Sequence, residues 1–164
     1  MLGDNKKEMY NLTKIKLRKM VENVIKCLNR DVRANNIKIF IDIKDEIEIS
    51  GDEKYIAIAV KNVIKNSIEA MDKNEKIILI GAEIRDNDIV IKIKDNGYGI
   101  FEEDLKKIFQ PLFSTKIQSM GMGLKISKYI LEQHNGNIEI ISRKNEWTEV
   151  IMKLNKIPEL CEES

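Results

Sequence analysis

The stretch DIVIKIKDNGYGI, residues 88–100, begins as an ordinary strand and ends with a carboxylate in front of bare backbone. Ile89, Ile91 and Ile93 alternate with Val90, Lys92 and Lys94, the period of a β-strand with one face more apolar than the other. The strand runs into Asp95, then into Gly97 and Gly99 on either side of Tyr98. Asp-Asn-Gly after a strand is a turn signal. The same residues also suit a planar ligand. Asp95 would accept a hydrogen bond from an exocyclic amine, the glycines would let backbone approach closely, and Ile100 would supply an apolar wall.

The neighbouring segments frame this strand. KIILIGAEI (76–84) is a second strand, joined to it by the polar turn Arg85-Asp86-Asn87. Before it, EKYIAIAVKNVIKNSIEAMD (53–72) has a helical period, with Asp52 placed as its N-cap. IKIFIDI (37–43) and IEISGD (47–52) read as strands, and the apolar spacing from Ile15 to Leu28 predicts one helix over Thr13 to Asn35. After residue 100 comes an irregular segment, 101–120, opened by a short helix at Glu102–Phe109. A helix from Met122 to Gln133 follows, stopped by Asn135-Gly136, and strands at 137–141 and 148–154 close the chain. Strands adjacent in sequence without a helical crossover predict antiparallel pairs. The fold class is therefore α+β, a two-layer sandwich of one mainly antiparallel sheet and one layer of helices.

The 164 residues suit one domain with a substantial core, expected over 10–157. Residues 1–9 are expected to be a linker or cloning remnant and 158–164 a frayed tail. With 28 basic against 27 acidic side chains the net charge is +1, which predicts no broad electrostatic attraction to nucleic acid or anionic membrane and leaves room only for a local basic patch. The sequence has no apolar run long enough to cross a bilayer, and no signal peptide is expected. Cys27 and Cys161 lie far apart and outside any ligand pattern, so a reduced, cytoplasmic pair is expected.

Two further stretches carry chemistry. On the helix at 53–72, Asn62, Asn66 and Glu69 share a stripe beside the core face. A solvated helix border would look the same, but Asn is a poor interior helix residue. Two at adjacent turns suggest a demand for amide oxygens, such as coordination of a hard cation. In SMGMGLKISKYILEQHNGNIEI (119–140), Gly121 and Gly123 sit at a helix start, where unpaired N–H groups and the helix dipole favour phosphates. This is neither a Walker A loop nor GxGxxG, because Ile126 stands where a third glycine would be.

Taken in order, these stretches resemble the catalytic and ATP-binding domain of sensor histidine kinases, within the ATPase family shared with gyrase, Hsp90 chaperones and MutL. NVIKNSIEAM (62–71) resembles the N box and DNGYGI (95–100) the G1 box. IFQPLFSTK (108–116) resembles the F box and GMGL (121–124) the G2 box. The similarity covers roughly residues 10–154, and NSIEAM is closest in wording to sporulation- and nitrogen-type sensor kinases.

The resemblance implies a Bergerat-type ATP-binding fold with a mixed sheet, and ATP and Mg²⁺ as cofactors. Asp95 would bind the adenine amino group, with Gly97 and Gly99 giving the base and lid room. Ile100 and Leu124 would also contact the nucleotide. Asn66 would hold the Mg²⁺ and Asn62 would lie beside it, both in catalytic roles. Gly121 and Gly123 would let backbone approach the phosphates, Lys116 would reach a phosphate from the lid at 101–120, and Thr148 would add a hydrogen bond near the adenine. Ser119 and Trp147 depart from the family pattern, standing where relatives commonly have glycine.

His134 is the only histidine and matches a structural histidine of the family rather than a phosphate acceptor. The implied acceptor lies on an upstream helical-hairpin dimerisation domain, with a response regulator as an indirect partner. The chain is thus expected to be an excised, monomeric, cytoplasmic catalytic domain. A hydrolytic ATPase of the gyrase kind would need a glutamate where Asn62 stands. A serine kinase of the anti-sigma-factor type usually carries glutamate there too. A nucleotide-responsive interaction module without transfer activity is the remaining alternative.

Overall fold

The computed structural model describes residues 10–110 and 122–156. The chain runs β1 (Thr13–Lys16), α1 (Leu17–Cys27), α2 (Asn29–Ala34), β2 (Ile37–Asp42), β3 (Glu48–Gly51), α3 (Glu53–Glu69), β4 (Lys76–Arg85) and β5 (Asp88–Asp95). It continues through α4 (Glu102–Leu105), α5 (Gly123–Gln133), β6 (Asn137–Arg143) and β7 (Trp147–Asn155). A five-stranded sheet has the order β2-β4-β5-β7-β6, and β1 pairs with β3 in a separate two-stranded sheet. The alternation in β5 does what its sequence predicts. Ile89, Ile91 and Ile93 are buried in one cluster with Leu17 and Val21 of α1, Ile56, Val60 and Ile64 of α3, and Leu131 of α5. The other face leaves Phe40 and Leu79, register partners on β2 and β4, exposed. Helices cover one side of the sheet, giving the expected two layers.

The expected helix over Thr13 to Asn35 is wrong at its start and middle. Thr13–Lys16 is a strand, antiparallel to β3 with Ile15 opposite Ile49, both buried. Ile15 fits a helical spacing, but the local Thr-Lys-Ile-Lys alternation and a β-branched partner across the pair win. The helix then breaks at Leu28, whose N–H is shared between the carbonyls of Val24 and Ile25. The expected antiparallel pairing of residues 37–43 with 47–52 does not occur either. β2 instead pairs with β4 in parallel, Ile39 beside Ile78, because α3 supplies the crossover between them. β4–β5 and β6–β7 are antiparallel as expected. The short helix after residue 101 stops at Leu105, and α3 stops at Glu69.

Two buried helices define the site-bearing layer, and polar groups set their register. Asp52 caps α3, its carboxylate accepting from the Lys54 N–H at 3.2 Å and the Asn11 N–H at 2.9 Å. The backbone N–H of Asp52 donates to His134 Nε2 at 3.1 Å, and the other ring nitrogen, Nδ1, lies 2.7 Å from the Ile130 carbonyl. Since the first partner only donates and the second only accepts, the imidazole is the neutral Nδ1–H tautomer. His134 is buried, with Tyr10 packed on its ring. Its role is structural, as the resemblance implies: it is a two-sided hydrogen-bond bridge between the cap of α3 and the end of α5.

Further along, the Ser127 hydroxyl contacts the Ala59 carbonyl at 3.1 Å, and Asn62 Nδ2 donates to the Gly123 carbonyl at 3.3 Å. As numbering rises in α5, its partners on α3 fall, so the helices are antiparallel.

α5 ends in a full Schellman motif. Asn135 adopts the left-handed conformation (φ 57°), its N–H donates to Glu132, and the Gly136 N–H donates to Leu131 at 2.7 Å. A Cβ at residue 136 would fall 2.2 Å from the Lys153 carbonyl oxygen, so backbone would have to move. Gly136→Ala is expected to cost about 2–3 kcal/mol in urea unfolding, more than an alanine placed at exposed positions of α5.

Candidate functional site

The sheet register assembles one end of the site. Asp95 on β5 faces Thr148 on β7, and Thr148 in turn faces Ser142 on β6. Directly opposed residues share a sheet face with Cβ atoms about 5 Å apart, so the three form a polar row on the helix-covered side. Asp95 and Thr148 are buried and Ser142 is half-buried. Ser142 Oγ lies 2.8 Å from Thr148 Oγ1. Trp147, the departure from the family pattern, points the other way, with Lys94 Nζ 4.5 Å from its ring centroid. Alternation along β7 therefore leaves Thr148 on the site face whatever precedes it.

The loop after β5 is held on every side. The Gly97 N–H donates to Asp95 Oδ1 at 2.9 Å, the Tyr98 N–H to the Ala70 carbonyl at 3.0 Å, and the Ile100 N–H to Ser142 Oγ at 2.8 Å. The Asn145 N–H donates to the Tyr98 carbonyl at 2.7 Å. Asn96 uses both ends of its amide, accepting from the Ile77 N–H and donating to the Glu75 carbonyl. The glycines are required by this packing. A Cβ on Gly97 would lie 2.4 Å from the Ala70 carbonyl oxygen, and one on Gly99 (φ 65°) 2.1 Å from that of Arg143. The Lys73 ammonium donates to Asp72, to the Gly97 carbonyl at 3.3 Å and to the Asn145 carbonyl at 2.9 Å, stitching three segments together.

The other end lies where α3 meets α5. Asn62 and Asn66 are half-buried, one turn apart on α3, while Glu69 is exposed. Asn62 touches the first residue of α5 through the Gly123 carbonyl. Among the described residues, a Cβ on Gly123 would meet Asn62 first, at an ordinary 3.7 Å. Leu124 packs, half-buried, against the core cluster. Lys116 and Gly121, like Ser119, lie outside the described residues. The structure thus brings Asp95, Gly97, Gly99, Ile100 and Thr148 together at one end, and Asn62, Gly123 and Leu124 at the other, with Asn66 one turn along α3. Ser142, Lys73 and Ser127 carry no local sequence signal for the contacts they make here. Ser142 is legible only once β6, β7 and the loop after β5 are in register.

The family model described as histidine kinase-, DNA gyrase B-, and HSP90-like ATPase matches residues 51–158. The chain belongs to that ATPase family. Sporulation kinase B of Bacillus subtilis (strain 168) is 28% identical over 149 residues, covering 91% of this chain and 35% of that protein. Sporulation kinase C of the same organism is 36% identical over 128 residues, covering 77% and 30%. The chain spans about a third of the length of these curated relatives. The nucleotide-free catalytic domain of histidine kinase ThkA matches with a TM-score of 0.81 at 28% identity, over 89% of this chain and 96% of that domain. ThkA is also known in complex with response regulator protein TrrA, a structure that matches with a TM-score of 0.76 at 26% identity over 92% of this chain and 43% of that one. Fold and relatives together make this an ATP-binding catalytic domain of the histidine kinase type.

The Lys73 clamp has a local consequence. Lys73→Met is expected to speed amide hydrogen exchange at Tyr98 and Asn145 severalfold, while changing global unfolding stability by less than about 1 kcal/mol, because a part-exposed ammonium contributes little overall.

Proposed function

We propose that this domain binds Mg·ATP between the Asp95–Thr148 end and the Asn62–Asn66 end of α3, and presents the γ-phosphate to a histidine on a separate dimerisation domain. The single observation that carries the reading is the buried Asp95 carboxylate. It stands at the end of the central strand, opposite Thr148, beside a loop whose Gly97, Tyr98 and Ile100 N–H groups are already committed. Such a preorganised acceptor suits the exocyclic amine of adenine, with Ile100 and the close-packed Gly97 and Gly99 backbone alongside.

At the far end, Asn66 offers an amide oxygen to Mg²⁺. Among the described residues no group of three or more His, Cys, Asp or Glu side chains could hold a metal. A cation here would take its remaining ligands from phosphates and water, the usual habit of Mg²⁺. The ion would neutralise phosphate charge. Asn62 holds the start of α5 against α3, where the Gly123 backbone can approach phosphates, and Leu124 packs beside it. Lys116 and Gly121 keep their phosphate assignment from the resemblance alone. Phosphoryl transfer needs mainly positioning and charge neutralisation, and this chain supplies both, while the attacking imidazole comes from its partner. Both ring nitrogens of His134 are occupied by backbone, which supports an acceptor elsewhere. An amide at Asn62 cannot act as the carboxylate base that a hydrolytic relative uses.

The domain would act in the cytoplasm, upstream of a response regulator, as the pairing of ThkA with TrrA suggests for that kinase. Among the described residues no helix is long and apolar enough to cross a membrane. Residues 10–157 would form the catalytic unit and be monomeric without the dimerisation hairpin.

Calorimetric titration with ATP and magnesium tests the pocket. Saturable binding is expected, weakened about 10- to 100-fold by Asp95→Asn, and Asn66→Ala is expected to remove its magnesium dependence. A flat trace from folded wild-type protein would end the proposal. Adding a histidine-bearing hairpin domain in trans should yield acid-labile phosphate on that domain.

A further inference from the structure

Ser142 is the most heavily committed hydroxyl near the purine end, and its partners leave no choice about where its proton goes. The Ile100 N–H can only donate, and it reaches Ser142 Oγ at 2.8 Å. The Trp147 carbonyl can only accept, and it lies 2.8 Å from the same oxygen. Ser142 therefore gives its single proton to Trp147 and fills one lone pair with Ile100. The third contact, with Thr148 Oγ1 at 2.8 Å, is a hydrogen bond only if Thr148 is the donor. Thr148 has one hydroxyl proton, and Ser142 takes it. Its oxygen is left with lone pairs alone.

We infer that Ser142 is a positioning residue that sets base selectivity by holding Thr148 as an obligate hydrogen-bond acceptor. The inference rests on the proposed placement of a purine at Asp95. With Thr148 so held, the sheet end presents two acceptors side by side, the Asp95 carboxylate and Thr148 Oγ1. A 6-aminopurine meets them with N–H donors. A 6-oxopurine brings an oxygen to the same edge, where acceptor faces acceptor, and such unmatched polar pairs discriminate strongly in buried sites. A threonine free to rotate would accept from the amine of one base or donate to the oxygen of the other, and so blur the distinction. Ser142 also ties the Ile100 backbone to β6, so the same oxygen fixes the loop that carries Gly97 and Gly99.

The test compares ATP with inosine triphosphate, in magnesium, on the 164-residue chain and its variants. Ser142→Ala is expected to narrow the preference for ATP by about tenfold, by releasing the Thr148 proton. Ser142→Cys keeps the side-chain shape with a weakly hydrogen-bonding sulfur, and should fall between alanine and wild type. It also serves if the alanine variant folds poorly. In a Thr148→Val background, where there is no hydroxyl left to orient, the alanine substitution should leave the ATP-to-inosine-triphosphate ratio unchanged. The inference is overturned if Ser142→Ala weakens both triphosphates equally, or if it shifts their ratio as much with valine at 148 as with threonine. Wild-type protein that binds neither triphosphate would instead bring down the purine reading itself, so the two failures are separable.

Discussion

The pairing of β5 with β7 is the constraint on which the site depends. It sets Asp95 opposite Thr148, and the β7–β6 pairing then sets Thr148 opposite Ser142. Side chains alternate strictly along a strand, so a slip of one residue would turn Thr148 to the solvent face and bring Trp147 in. What prevents the slip is the core. Ile91 opposes Met152 and Ile93 opposes Val150, all buried on the same face as the polar row. Hydrophobic burial fixes the register, and the register aligns the polar groups.

A second register, between helices, sets the other end. α3 and α5 run antiparallel, tied at His134 to Asp52, Ser127 to Ala59 and Asn62 to Gly123. Ser127 is fully buried, and so small a residue allows the two helices to approach closely. Sliding α5 along α3 would break all three contacts together. The distance between the acceptor at the sheet end and the amides on α3 is thus a property of the packed layer rather than of any one loop.

Much of this was legible in the sequence. Asp52 as a cap, Asn135-Gly136 as a stop, the buried isoleucines of β5 and the stripe of Asn62 and Asn66 follow from periodicity and side-chain chemistry, which are local properties. The failures share a cause. Local spacing predicts helix at Thr13–Lys16 because the strand's partner, β3, lies more than thirty residues away. Sequence adjacency predicts pairing of β2 with its neighbour, since nothing local announces that α3 will carry the chain across to a parallel edge. Ser142 falls just past the strand expected at 137–141, and gains meaning only when Ile100, Trp147 and Thr148 arrive from elsewhere. Local signals set element type; pairing is decided by contacts that no short window contains.

The turns of this protein favour side chains over bare backbone. Asn36, Asp86, Asn135 and Asn145 all adopt left-handed conformations, and among the described residues Gly99 is the sole glycine to do so. A glycine in such a position carries extra conformational freedom into the denatured ensemble, which folding must then remove. Asparagine and aspartate tolerate the same angles with less of that freedom. These corners therefore aid the fold partly by impoverishing its competitor, a contribution that no inventory of native contacts would register.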